Sequence, residues 1–190
     1  NDMIFKIDKT NKTASLFKVN QELNDINIPC TVTHELNGYL VTSICNIGCS
    51  NEFISCVKTI KFEEDSEVST IYEYAFLHSN IEEIYIPKNL KELEEGWCCD
   101  TEKLTRIIIS PTNDQFIFKN DQYLLCKNDP NKDEFDNLLF VRRDIEEISI
   151  PSNVTKINEY SFSKCTNLTK VEIPNNSKLQ AINKNTFLES

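Results

Sequence analysis

The sequence predicts a solenoid: a right-handed β/α superhelix of stacked coils, with short parallel strands and short helical or 3-10 segments on the outer side. Three observations predict it. One apolar skeleton recurs through the chain at intervals of 22 to 25 residues. Short I-x-I runs are closed by proline. No single interval carries enough apolar side chains to offset the entropy of ordering it. Stacking of neighbouring coils is therefore obligatory.

The repeat is clearest at Ile145, Ile148, Ile150, Pro151, Val154, Ile157, Phe162, Cys165, Leu168, Val171, Ile173 and Pro174. Its opening, I-x-x-I-x-I-P, returns as L-x-x-V-x-I-P after 23 residues. Upstream, Ile81, Ile84, Ile86 and Pro87 lead to Leu90, Leu93 and Cys98, then to Leu104, Ile107 and Ile109. Val57, Ile60 and Phe62, with Val68, Ile71 and Phe76, make the coil before, and Val41, Ile44 and Cys49 an earlier one. Leu179, Ile182 and Phe187 begin a last coil. In an I-x-I strand both apolar residues point to one side, because strand side chains alternate. Proline cannot donate to the ladder and ends the strand. A helical or 3-10 segment around the Phe then covers the core from the other side.

About five coils in one domain over 1–190 are expected. A lead-in segment and first coil span 13–62, repeats 63–109, a hairpin-bearing insertion 110–144 and further repeats 145–190. Within the insertion Phe116-Ile117-Phe118, Tyr123-Leu124-Leu125 and Leu138-Leu139-Phe140-Val141 read as short strands. Asn131-Lys132-Asp133-Glu134 reads as a mobile projecting loop. The coil carrying Gly96-Trp97-Cys98-Cys99 lacks an Ala-Phe pair, which predicts an irregular outer wall there. The last coil has no returning strand or polar cap after Phe187, as expected of one portion of a longer array.

The residues Ile148-Ser149-Ile150-Pro151-Ser152-Asn153-Val154-Thr155-Lys156-Ile157, followed by Tyr160-Ser161-Phe162 and Cys165-Thr166-Asn167-Leu168, resemble the BspA-like leucine-rich repeat of bacterial and protist surface antigens. Ala75-Phe76 shows the usual form of the pair that Ser161-Phe162 replaces, and Ile28-Pro29 through Gly38 to Ile44 resembles the family's first coil. The resemblance extends from about Thr13 to Phe187. It implies a leucine-rich repeat solenoid that binds protein or extracellular-matrix ligands at the cell surface.

Charge and composition narrow the partners. The chain has a net charge of −10, opposite to the basic surface that nucleic acids and anionic membranes require. No stretch approaches the ~20 apolar residues of a spanning helix, so no membrane insertion is expected within this segment. Asn1 to Asp8 carries no continuous apolar run of a secretory signal.

Eight cysteines occur without a C-x-x-C pair. Cys165 takes a small apolar position of the repeat, and Cys49 and Cys98 fall where Phe76 and Phe162 fall, so these read as buried structural thiols. Cys126 lies on a strand run and packs. Cys99, whose neighbour takes the inward position, reads as a candidate exposed thiol. For Cys30, Cys45 and Cys56 both free thiols and a capping disulfide remain open. The two histidines, His34 and His78, have no metal-ligand spacing. Glu63-Glu64-Asp65 and Asp133-Glu134 lack the pattern of a calcium loop. Nucleophile elbows, phosphate-cradling glycine loops and H-E-x-x-H are missing. Neither a cofactor, a metal nor catalysis is expected. N-x-S/T sequons at Asn11, Asn153, Asn167 and Asn175 fall largely on turns.

The exposed side of the strands is the candidate binding surface. Successive coils present Thr59 and Lys61, Glu83 and Tyr85, Arg106 and Ile108, Glu147 and Ser149, Lys170 and Glu172. Glu83, Arg106, Glu147 and Lys170 alternate in sign, so stacked parallel strands would set them as one charge ladder. Tyr85 and Ile108 read as adjacent anchors for a partner. A cell-surface adhesin or antigen is the leading expectation. A cytoplasmic scaffold with the same solenoid is the alternative.

Overall fold

The computed structural model describes residues 3–19, 23–45 and 56–190. The N-terminal part holds β1 (Met3–Asp8), β2 (Thr13–Val19), β3 (Asp25–Ile28), β4 (Thr31–His34) and β5 (Asn37–Ile44). The next coils hold β6 (Thr59–Phe62), β7 (Thr70–Ile71), β8 (Glu83–Ile86), β9 (Glu92–Leu93) and β10 (Arg106–Ile109). Three strands follow in the insertion, β11 (Phe116–Lys119), β12 (Tyr123–Lys127) and β13 (Phe135–Val141). The chain ends with β14 (Glu147–Ser149), β15 (Lys156–Ile157), β16 (Lys170–Glu172) and β17 (Ala181–Ile182).

Each coil gives one strand to each of two faces. On the first face β3, β6, β8 and β10 form a parallel sheet in chain order, and β14 and β16 form a second one. On the other face β2, β5, β7 and β9 run parallel, with β1 and β4 added as antiparallel flanks, and β13, β15 and β17 continue beyond the insertion. The I-x-I pattern explains the register. Ile60, Ile84 and Ile107 fall in line and point inward, while Glu83 and Tyr85 point out.

The third side corrects the sequence reading. Among the described residues no segment is helical. The wall around each Phe is instead a succession of turns, closed by bonds such as Ala75 N to Tyr72 O, Leu77 N to Tyr74 O and Ser79 N to Phe76 O. In four of the described wall turns two residues four apart take positive φ: Tyr74 and His78, Gly96 and Asp100, Tyr160 and Lys164, Asn185 and Glu189. A helix needs each residue right-handed, and a left-handed L-residue costs roughly 1–2 kcal/mol. The compensation is between coils: Phe76 N and His78 N donate to Trp97 O and Cys99 O, and Phe162 N and Lys164 N to Thr186 O and Leu188 O. Amides that a helix would use internally are spent on stacking.

The wall at Gly96-Trp97-Cys98-Cys99 is regular in backbone, contrary to expectation. Only the side chains are exchanged. Trp97 takes the place of Ala75 and Ser161, buried between Phe76 (ring centroids 6.1 Å apart) and Phe140 (6.2 Å). Gly96, at φ 67°, lets Tyr74 and Tyr160 meet across it, their hydroxyls 3.2 Å apart. A Cβ there would stand 2.6 Å from the Tyr74 ring.

The insertion is a partition. β11, β12 and β13 form an antiparallel meander whose side chains serve two separate cores. Leu124, Cys126, Leu139 and Phe140 join the N-terminal cluster, while Tyr123, Leu125, Leu138 and Val141 join the C-terminal one. Strands covered on both faces read as continuous apolar runs, as Tyr123-Leu124-Leu125-Cys126 does. Arg143 lies buried at the seam, 2% exposed. Its guanidinium sits 4.7 Å from the Phe140 ring centre and donates to Cys98 O (3.2 Å) and Ser161 O (3.0 Å), so it ties the wall of one half to that of the other. The loop at 131–134 is exposed.

Gly96→Ala is expected to lower stability by about 1–3 kcal/mol, since both the left-handed backbone and the Tyr74 ring oppose a Cβ. Chemical denaturation of the two proteins checks it.

Candidate protein-binding surface

The predicted surface residues all lie on the outward side of the first face. Lys61 on β6 and Arg106 on β10 are exposed, and Glu83, Tyr85 and Ile108 are half-buried. Strand pairing sets Glu83 beside Arg106 and Tyr85 beside Ile108. The Glu83 carboxylate is 3.1 Å from the Arg106 guanidinium. Because Arg106 is well exposed, this pair contributes at most about 1 kcal/mol and chiefly fixes where the guanidinium sits. Beyond the partition, Glu147 lies beside Lys170 and Ser149 beside Glu172, all four exposed. Lys170 binds Glu172 on its own strand at 2.5 Å, and that hydrogen bond, with the nearby charges of Glu172 and Glu147, holds its pKa above the usual lysine range.

The charge ladder is not continuous. Four strands make one sheet and two make another, and no ion pair joins Arg106 to Glu147 among the described residues. The stacked arrangement of the other coils would give Glu146 N to Thr105 O. Arg143 N to Leu104 O (3.4 Å) takes its place. The partition thus separates the strands immediately after Leu104. The surface divides into Lys61, Glu83, Tyr85, Arg106 and Ile108 on one sheet, and Glu147, Ser149, Lys170 and Glu172 on the other.

Two features were not singled out by sequence. Tyr85 also lines a cleft of about 490 Å³ at the strand ends, with Phe62, Pro87, Pro111, Asp65 and Lys88 around it. The second is a recurring P-x-N signal. Asn89 Nδ2 donates to Ser66 O (2.9 Å), Asn113 Nδ2 to Pro87 O (2.8 Å) and Asn153 Nδ2 to Phe135 O (2.8 Å). Each Asn bonds the carbonyl of the preceding turn of chain and so fixes the corner beside the surface. The amide of the Asn153 sequon is therefore already engaged, and so is that of the exposed Asn11, which donates to Asp8 Oδ2 at 2.8 Å, whereas Asn167 and Asn175 are exposed.

The thiols are placed by burial. Cys98, Cys126 and Cys165 are buried, as their repeat positions require, and Cys99 is buried too, at 4% exposure. That corrects the exposed thiol expected at Cys99: the turn geometry tucks its side chain beneath the wall. Burial pushes Cys98 and Cys126 up to about 12 and Cys99 up to about 11, and it also raises Cys165. Cys30 and Cys45 are half-buried free thiols, and Cys56 is exposed. Cys49 lies outside the described residues. Among the described residues no three His, Cys, Asp or Glu side chains gather to hold a metal ion, and no helix is long and apolar enough to cross a membrane.

A model of the BspA type leucine rich repeat region matches residues 15–124 and 133–190, in six copies. The chain belongs to the BspA-type leucine-rich repeat family. Between the two matched stretches, residues 125–132 are the end of β12 and part of the loop after it. A solved leucine-rich repeat protein from Eubacterium ventriosum is 20% identical, with a TM-score of 0.62 over 86% of this chain and 45% of its own. Another, from Bacteroides ovatus, is 24% identical, with a TM-score of 0.56 over 96% of this chain and 45% of its own. Both likenesses concern the fold, and the BspA-type chain spans less than half the length of either neighbour. No curated protein matches it.

Native protein at pH 7 is expected to leave Cys98, Cys99, Cys126 and Cys165 unmodified by a thiol reagent on a timescale where the unfolded chain reacts fully. Mass spectrometry of the labelled peptides reads this directly.

Proposed function

We propose that this BspA-type chain is a non-enzymatic protein–protein interaction module of the cell-surface adhesin or antigen kind, binding a host or matrix macromolecule through the outward side of its first face. One observation carries the reading: Tyr85 and Ile108 sit side by side on a sheet, flanked by the Glu83–Arg106 pair and opening onto the Phe62–Pro87–Pro111 cleft. Interface energy concentrates on aromatic and Arg side chains in such settings. The strands beneath are held by buried Ile84, Ile86 and Ile107, so the anchors are presented without a loop to order on binding. The acidic balance directs the choice toward protein and away from nucleic acid. Lys61 widens the first patch. Glu147, Ser149, Lys170 and Glu172 offer a second, more polar one.

A cytoplasmic scaffold is the second reading, and the free thiols of Cys30 and Cys45, with four more buried ones, favour it. Surface biotinylation of intact cells separates the two: labelling supports the surface role, and a chain found only in the lysed fraction supports the scaffold.

Tyr85→Ala and Arg106→Ala are each expected to weaken binding to an immobilised matrix-protein ligand at least tenfold, about 1.4 kcal/mol or more, with the melting temperature unchanged. Surface plasmon resonance measures it. Unchanged affinity in both variants removes the surface from consideration.

A further inference from the structure

The same face contains a strand edge that the fold leaves open. In the β8–β10 ladder Arg106 N donates to Glu82 O and Ser110 N to Ile86 O. Parallel pairing alternates residue by residue, so Arg106, Ile108 and Ser110 turn their main-chain groups to β8, and Ile107 and Ile109 turn theirs away. On β8 the equivalent outward groups, those of Ile84 and Ile86, are answered by β10. Among the described residues no strand answers Ile107 and Ile109, because β10 ends its sheet and β14 pairs with β16. Ile107 and Ile109 both border an open groove, so their edge groups lie within reach of a partner. Unpaired main-chain donors and acceptors at a sheet edge are a ready template for a further strand.

A groove lies alongside this edge. Its volume is about 520 Å³, and Ile108, Ile109, Phe116, Ile117, Phe118 and Phe135 line it. Ile109, Ile117, Phe118 and Phe135 are half-buried, with their outer sides turned to the groove. The floor is thus apolar, and one side is a row of main-chain donors and acceptors at strand spacing. A helix has no free main-chain groups to offer such an edge, and a compact small molecule does not match its repeat. An extended chain matches both.

We propose that the β10 edge binds an extended segment of a partner protein, which adds as a further strand and places alternate apolar side chains in the Ile109–Ile117–Phe118–Phe135 groove. Main-chain pairing supplies the attraction and the groove supplies the choice of side chain, as in other strand-addition complexes. The site shares Ile108 with the outward anchors but not Tyr85: an added strand meets the sheet at its edge, and Tyr85 points from its face. The inference does not rest on the adhesin reading.

Dodecapeptides selected from a random phage-displayed library on the intact chain test it. Selected peptides are expected to carry apolar residues at alternate positions. On binding they are expected to slow amide exchange at Ile107 and Ile109 at least tenfold, with no comparable change at Ile108. Ile109→Pro removes an edge donor without touching a β8 bond, a place where edge strands tolerate proline, and is expected to weaken binding at least tenfold. Phe118→Glu, which leaves the backbone intact, is expected to do the same through the groove. Tyr85→Ala is expected to leave peptide binding unchanged while it weakens the matrix ligand, so each proposal fails on its own. No selected peptide, no protection at Ile107 and Ile109, or full binding by both groove-side variants overturns the proposal. Slow exchange at these amides in peptide-free protein that dimerises with concentration overturns it in favour of a second copy.

Discussion

The main-chain amides of this protein run along the solenoid axis, so the hydrogen bonds of one coil are completed by the next. Glu83 N is answered by Lys58 O, Arg106 N by Glu82 O, Glu94 N by Ile71 O and Asn183 N by Ile157 O. The apolar side chains follow the same rule, for Ile60, Ile84 and Ile107 bury one another in a column. A coil by itself holds neither its bonds nor its core. That dependence on neighbours explains why the outer wall gives up helix. Left-handed residues at Tyr74, His78, Tyr160 and Lys164 cost local energy, and they turn the wall amides toward the adjacent coil.

Where stacking is interrupted, the molecule substitutes other contacts. The meander of β11, β12 and β13 stands between two cores and faces both, with Leu124 directed to one side and Leu125 to the other. Arg143 crosses the seam with its charge buried and no carboxylate paired to it among the described residues. Carbonyl oxygens of Cys98 and Ser161, the thiols of Cys98 and Cys165 and the face of Phe140 surround it instead. Such a cation is expensive to bury, and its partners come from both halves, so it acts as a joint. The same interruption divides the binding face and leaves β10 without a neighbour. Structure and surface chemistry at this point have one origin.

Much of the fold is legible in the sequence because its signal is repeated. Each I-x-I-P strand and each inward residue at Ile71, Leu93 and Ile157 is where spacing puts it, and the three apolar runs of the insertion are strands. The wall is legible only in part. Gly96, Asn185, Asp100 and His78 are residue types that favour positive φ, but Tyr74, Tyr160, Lys164 and Glu189 at equivalent positions carry no such mark. Composition gives the same turn four different chemistries. The P-x-N signal is visible in the sequence as well, yet its meaning depends on a carbonyl about one coil away. The candidate surface residues do face outward, since strand alternation is local information. Their separation into two patches is not legible, because it follows from how the meander deflects the chain at Arg143 and not from any residue of the patch.

The dependence of each half on the shared partition is open to direct measurement. Leu125 faces only the C-terminal core, whereas Trp97, the single tryptophan, reports the N-terminal one. Urea unfolding of Leu125→Ala can be followed by Trp97 fluorescence and by protection of the Asn158 amide, which donates to Leu138 O across the second core. If the partition joins the halves, both signals move together to lower urea in one transition. A Trp97 transition that keeps the wild-type midpoint while Asn158 loses protection early would contradict it.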